Sequence, residues 1–250
     1  MNIREDPCVA QPCNNRRGVL RSAIGIASLA LMGTPLLALP EVSSAAALSK
    51  EKRDRLTPNQ VLDMLKQGNE RFRAGEASPH NYLAQKRATV AGQYPAAVIL
   101  SCIDSRAPAE IILDTGIGDT FSARIAGNII NDDLLGSLEF ACALAGAKVV
   151  LVMGHTACGA VRGAIDGAQL GNLTGLLDKI KPAVEATHYG GERTGKNAEF
   201  VDEVAKTNVR LTIGEIRRRS EVLAALEKDG KIALAGSMYH LAGGRVDFFT

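Results

Sequence analysis

AVILSC, residues 97–102, and AKVVLVM, residues 147–153, decide the fold of this chain. Each is a continuous apolar run without polar alternation, the pattern of a strand covered on both faces. Weaker strand patterns read at 119–124 (DTFSAR) and 231–237 (KIALAGS). Helical periodicity fills the intervals. Leu135, Leu138, Ala141, Cys142 and Ala145 share one face of 134–145, and further helices read at 157–168, 173–187, 197–209 and 214–228. Upstream, Thr57 as N-cap and Pro58 at the first position open a helix over 58–74 that Gly75 ends. A looser helical stretch runs from 81 to 91. Strands alternating with helices predict an α/β domain, with a mostly parallel central sheet of four to five strands flanked by helices. Ligands of such sheets sit beyond the carboxyl ends of the strands.

The 250 residues are 46% hydrophobic and 22% charged, with a net charge of +2, ordinary values for a globular protein. Arg217-Arg218-Arg219, in a helical segment, reads as a solvated face or an interface patch. There is no Trp, and only four Tyr and six Phe. The basic stripe with interleaved aromatics that nucleic acid would require is missing, so no nucleic-acid partner is expected.

The first fifty residues differ in kind. Arg16-Arg17-Gly18-Val19-Leu20-Arg21 precedes an uncharged stretch from Ser22 to Pro40, and small residues follow at Ser43-Ser44-Ala45-Ala46-Ala47. A basic head, a modest apolar middle and an Ala-rich end predict a cleaved export signal over residues 1–47, and the Arg-Arg pair resembles the twin-arginine type. The rival is an uncleaved anchor. Pro35, Pro40 and the short, weakly apolar run argue against it, so no membrane span is expected in the mature chain. The expected domain is 48–250, located in a bacterial periplasm or otherwise exported. Cys8 and Cys13 leave with the signal, whereas Cys102, Cys142 and Cys158 remain. An odd number argues against a disulfide framework.

Both apolar runs end in reactive residues. SCIDSRAPAE, 101–110, places Cys102, Asp104 and Arg106 two residues apart, on one face of an extended chain. MGHTACGAVRG, 153–163, places His155 and Cys158 in the turn before a helix. Two thiolates and one imidazole make a three-ligand zinc site with one position open, as in catalytic rather than structural zinc. Soft thiolate plus imidazole suits zinc, whereas magnesium and calcium want oxygen. A carboxylate beside the open position can orient a water there, or it can bind the zinc and close the site. A bidentate pair with Arg106 would hold Asp104 off the metal.

Cys-x-Asp-Ser-Arg followed by Gly-His-x-x-Cys-Gly resembles the β-class carbonic anhydrases. The likeness runs from about Thr57 to the C-terminus and includes Arg124-x-Ala126-Gly127-Asn128, Asn208-Val209 and Gly-x-x-Tyr239. It implies one Zn2+ per chain on Cys102, His155 and Cys158, with Asp104 as a further, conditional ligand. It also implies reversible hydration of CO2 to bicarbonate with Asp104 and Arg106 as catalytic residues. The family assembles as a homodimer or homotetramer, with an N-terminal helical extension that packs on a partner subunit. Gln93, Phe121, Ala126, Phe140 and Gly159 match its substrate pocket, Gln93 reaching the partner's cleft. Ile99 stands where the bicarbonate-regulated group has Trp, which implies the accessible-zinc group. Ile125 and His240 depart from the usual Asn and Asp.

Plainer readings compete. Cys102 and Cys158 could be buried hydrophobes or a disulfide, Asp104–Arg106 a surface salt bridge, Gln93 a loop residue and the Phe pair mere core. Cys142 reads as core, and His80, His188 and His240 as surface or loop residues. The same fold could also serve a carbon disulfide or carbonyl sulfide hydrolase, or a non-catalytic zinc-binding protein.

Overall fold

The computed structural model describes residues 47–249. The expected signal segment lies, but for Ala47, outside the described residues. In chain order the elements are α1 (Lys50–Arg55), α2 (Pro58–Ala74), α3 (Tyr82–Ala88), β1 (Ala97–Ser101), α4 (Ala109–Ile112), β2 (Thr120–Arg124), α5 (Asp132–Glu139), β3 (Val149–His155), α6 (Gly159–Ile165), α7 (Gly171–Asp178), α8 (Lys181–Ala186), α9 (Ala198–Arg219), α10 (Glu221–Lys228), β4 (Ala233–Tyr239) and β5 (Val246–Phe249). A 3-10 turn at Ala126–Asn128 follows β2, and a π-helical turn at Phe140–Leu144 continues α5.

The sheet order is β2-β1-β3-β4-β5, parallel except for β5. Every residue of β1 and β3 is buried, as their unbroken apolar sequences require. Alternate side chains serve opposite layers. Val98, Leu100, Val150 and Val152 join the core under α5, α6, α9 and α10, and Ala97, Ile99, Val149, Leu151 and Met153 join the core under α2 and α4. Thr57 caps α2 through Gln60 in a reciprocal pair of hydrogen bonds, and Gly75 ends it in the left-handed conformation.

Several expected boundaries move. β3 runs to His155, which therefore belongs to the strand rather than to the turn. β1 ends its pairing at Met153, but β4 carries β3 two residues further, to His155 opposite Tyr239. The expected helices 197–209 and 214–228 are one 22-residue helix through Gly214 and a second that begins after Ser220. The break falls at Ser220 because its hydroxyl accepts from Leu223 N–H to start α10. The expected 173–187 helix divides at Lys179–Ile180, and Pro182 sits in the first turn of α8, where a missing N–H costs nothing.

β5 was not legible as a strand. Four residues give no period, and its place depends on buried Asn69 of α2, which donates to the Ile112 and Gly244 carbonyls and accepts from Val246 N–H. His80, expected as a surface or loop residue, lies in the loop before α3 but is nearly buried there and bonds Asp114 at 2.9 Å. Arg71 and Ser78 bind the same carboxylate, and a buried carboxylate needs that many partners. His240 pairs with Asp247, and His188 is exposed. Arg217, Arg218 and Arg219 are ion-paired with Glu227, Glu215 and Asp132, so the triplet is a solvated, neutralised face. Cys142 is core, and burial pushes its thiol up to about 12. No helix of the described residues is long and apolar enough to cross a membrane.

Candidate metal centre

β1 and β3 are parallel neighbours, with Ser101 opposite Met153. The residues that follow them therefore emerge side by side. Cys102 comes directly after β1, His155 closes β3, and Cys158 is the residue before α6. All three are buried, and their ligand atoms lie within 4.8 Å of one another. The cysteines are free thiols. His155 Nδ1 donates to its neighbour's carbonyl, Thr156 O, at 2.9 Å. That bond turns the lone pair of Nε2 toward the two sulfurs. Nε2 is buried without a hydrogen-bond partner among the described residues. A buried nitrogen left unpaired is costly, and here it faces two thiols at ligand spacing. This donor set fits zinc.

The electrostatics point the same way. Cys102 is drawn well below the usual thiol range, first by the Cys158 thiol, against burial, and further by the nearby His155 imidazole and the Gly127 N–H. Cys158 is pushed far up by giving that bond, by burial and by the charge on Cys102. Burial works to lower the His155 pKa, but the neighbouring Cys102 sulfur and its charge outweigh burial and raise it. A divalent cation held by these three groups would displace their protons.

Around them sits a second layer. Gly127 N–H donates to Cys102 Sγ at 3.3 Å. Arg124 clamps the loop after β1, with Nε on Cys102 O (2.9 Å) and Nη2 on Asp104 O (2.6 Å). Arg106 binds Asp104 bidentately, Nε to Oδ1 at 3.0 Å and Nη2 to Oδ2 at 2.7 Å, and its own N–H adds a bond to Oδ1 at 2.9 Å. The Arg106 side chain holds the Asp104 carboxyl well below the usual carboxylate range. Asp104 Oδ2 is 3.8 Å from His155 Nε2, too long for a hydrogen bond. Asp104 is not one of the clustered ligand group. The contacts from Gly127 and the Thr156 carbonyl were not predicted. The Arg124-x-Ala126-Gly127 motif signalled the former, and nothing in the sequence signals the latter.

A cleft of about 430 Å³ opens beside Cys102 and Asp104, lined by Ile103, Ala126, Gly159, Ala160, Leu173 and Leu177. Ala126 and Gly159, two of the expected pocket residues, line this cleft. The other expected pocket residues lie elsewhere on this chain. Phe121 and Phe140 pack edge to face at 6.1 Å, with Phe140 half exposed. Gln93 lines a separate surface hollow with Thr89, Ile117 and Gly118. Ile125 packs against the core.

The sequence model described as carbonic anhydrase matches residues 97–246, more than half of the chain. Carbonic anhydrase 2 of Mycobacterium tuberculosis is 37% identical over 187 residues, covering 72% of this chain and 87% of the relative. The carbonic anhydrase of Mycolicibacterium smegmatis is 36% identical over 185 residues, covering 73% and 89%. Among solved structures, the β-carbonic anhydrase CafA of Aspergillus fumigatus aligns with a TM-score of 0.58 at 27% identity, over 73% of this chain and 88% of that one. One of two tetrameric β-carbonic anhydrases from Sordaria macrospora shares the fold, with a TM-score of 0.58 at 24% identity, over 73% and 93%. The matched segment starts at the first residue of β1 and contains the whole Cys–His–Cys group with Asp104 and Arg106. The chain belongs to the β class of the carbonic anhydrases.

Proposed function

We propose that the chain holds one Zn2+ on Cys102, His155 and Cys158 and hydrates carbon dioxide reversibly to bicarbonate and a proton. We further propose that it does so as a homo-oligomer exported on a twin-arginine-type signal. The observation that carries the zinc reading is His155 Nε2, buried without a partner and facing two thiols. Bound zinc supplies an electrophilic centre that makes water nucleophilic near neutral pH.

The chain's own residues do the rest. The Thr156 carbonyl fixes the His155 tautomer, and Gly127 N–H steadies the Cys102 sulfur. Asp104, ionised and pinned by Arg106, is an acceptor at the rim of the centre that aims a reacting water by taking its hydrogen bond. The same pair with Arg106 keeps Asp104 from occupying the open position itself. Ile103, Ala126, Leu173 and Leu177 give the cleft apolar walls suited to a small, linear, uncharged substrate. Gln93, Phe121 and Phe140 do not line this cleft on their own chain, and assembly of subunits is what would bring them to one. Half-exposed Phe140 and exposed Leu144 favour such an interface.

Stopped-flow CO2 hydration, with zinc determined on the same sample, tests the reading. About one zinc per chain is expected, and Cys158→Ser should lose zinc and activity together. Full activity in a zinc-free preparation would refute it.

A further inference from the structure

Between His155 and Cys158 the chain makes a turn that its residues do not favour. Ala157 has φ 53, in the left-handed region where a Cβ is strained and glycine is the usual occupant. The turn cannot be relaxed without changing the spacing of the two ligands it joins. Its exposed end is met by α9. Asp202 Oδ1 accepts from Ala157 N–H at 2.7 Å, a contact 45 residues distant in sequence. The short distance and the carboxylate acceptor make this a strong bond.

The position of Asp202 is itself built in. α9 lies directly on β3 because Gly154 has no side chain. A Cβ there would stand 2.7 Å from Val209 Cγ2 and 2.8 Å from Met238 Sδ. Asp202, Ala205 and Val209 form one stripe of the helix, so the contact at Gly154 sets the height of Asp202 over the turn. The same helix holds the other left-handed turn of the site. Asn208 Nδ2 donates to Gly127 O at 2.7 Å, and Thr212 Oγ1 donates to Asn128 O at 3.4 Å.

We propose that Asp202 is a positioning residue for the metal centre: by binding Ala157 N–H it keeps the His155–Cys158 turn in a conformation that alanine alone would leave, and so slows loss of the metal. This rests on the zinc reading above. Without the acceptor, Ala157 returns to negative φ and the two ligands separate. Asp202 touches neither the metal nor the substrate, and its effect is on how long the ligand set stays assembled.

The test is the first-order rate of zinc transfer from the holoprotein to excess chelating dye. It is read for the wild type, Asp202→Asn, Asp202→Ala, Ala157→Gly and the Asp202→Ala/Ala157→Gly double variant, with urea midpoints of the zinc-free proteins in parallel. Asp202→Ala should release zinc about 10–100-fold faster, the usual scale for outer-shell partners. Asp202→Asn keeps a carbonyl acceptor and should stay within about threefold of wild type, since the bond rather than the charge positions the turn. Ala157→Gly removes the backbone strain and should recover most of the loss in the double variant. If Asp202→Ala does not fold, Ala157→Gly alone decides: release no faster than wild type supports a strained turn. Wild-type release by Asp202→Ala, Asn behaving like Ala, no recovery by Gly, or faster release by Ala157→Gly alone would each overturn the proposal. A wild-type protein that binds no zinc would instead sink the metal reading on which it stands.

Discussion

Replacing Gly127 by alanine should destabilise the protein by about 2–5 kcal/mol and loosen the metal centre, and the two parts of that figure can be separated. Gly127 sits at φ 67, ψ 18, with its N–H on Cys102 Sγ and its carbonyl on Asn208. A left-handed alanine costs about 1–2 kcal/mol. A Cβ there would also stand 2.5 Å from Ile180 Cδ1 and 3.3 Å from Ala160 Cβ. Ile180 is fully buried in the core, so its terminal methyl cannot swing aside freely, and overpacking of this kind costs about 1–3 kcal/mol. Against a total stability of about 5–15 kcal/mol the sum is large. Ile180→Val deletes the colliding carbon. Alone it should cost about 0.5–1.5 kcal/mol, but in the Gly127→Ala background it should recover most of the overpacking and leave the backbone share. The assay is urea unfolding of the four zinc-free proteins as a double-mutant cycle, with zinc affinity measured on the same set. Additive costs would refute the collision with Ile180. A Gly127→Ala protein within about 0.5 kcal/mol of wild type, the range of an ordinary surface change, would refute the whole account.

Four further outcomes are expected. Arg106→Ala removes two of the three bonds that hold Asp104, so the carboxylate should enter the metal's open position, and the cobalt-substituted variant should lose the pH-dependent spectrum of the wild type. Asp104→Ala should keep its metal while turnover falls about 10²–10⁴-fold; a variant of near-wild-type rate would remove Asp104 from the chemistry. Burial pushes the Asp114 pKa up, but bonds from Arg71, Ser78 and His80 prevail and lower it. Its stabilisation is therefore complete above the unfolded carboxylate value, about pH 4, and lost as pH falls through the depressed folded value. Asp114→Asn should accordingly flatten the acid limb of stability in the zinc-free protein, and an unchanged limb in urea midpoints against pH would count against the network. Replacing Arg16 and Arg17 together by Lys should stop export while cytoplasmic activity persists, as followed by fractionation and CO2 hydration; unchanged export would exclude the twin-arginine reading.

The sheet was legible because β1 and β3 are buried on both faces, which leaves no polar alternation to confuse them with amphipathic helix. The Cys–His–Cys group was legible as a cluster because its residues fall at the carboxyl ends of two neighbouring parallel strands. β5 was not, since four residues carry no period and Asn69 supplies the reason for their pairing from far upstream. The loop position of His80 was legible, but its burial was not, because only the fold brings buried Asp114 to it. A helix was expected to begin at Gly214, yet that residue lies inside α9, and the break comes instead at Ser220, whose hydroxyl caps α10.

A motif fixes which atoms can bind a metal and says little about how firmly they are held. Cys102 and His155 come from strand ends whose backbone positions are set by parallel pairing, but the sulfur and the imidazole are oriented by groups outside the motif or peripheral to it: Gly127 N–H, the Thr156 carbonyl and, through Ala157, Asp202. Two of these contacts depend on left-handed residues, and α9 binds both turns through Asp202, Asn208 and Thr212. Rotating or lifting that one helix would disturb Cys102 through Gly127 and the His155–Cys158 pair through Ala157 at once. The small residue at Gly154, where α9 and β3 touch, is thus as much a condition of the metal centre as the ligands beside it. The sequence reading divided α9 between two helices and gave no sign of this role, because its polar contacts reach residues 45 to 84 positions away.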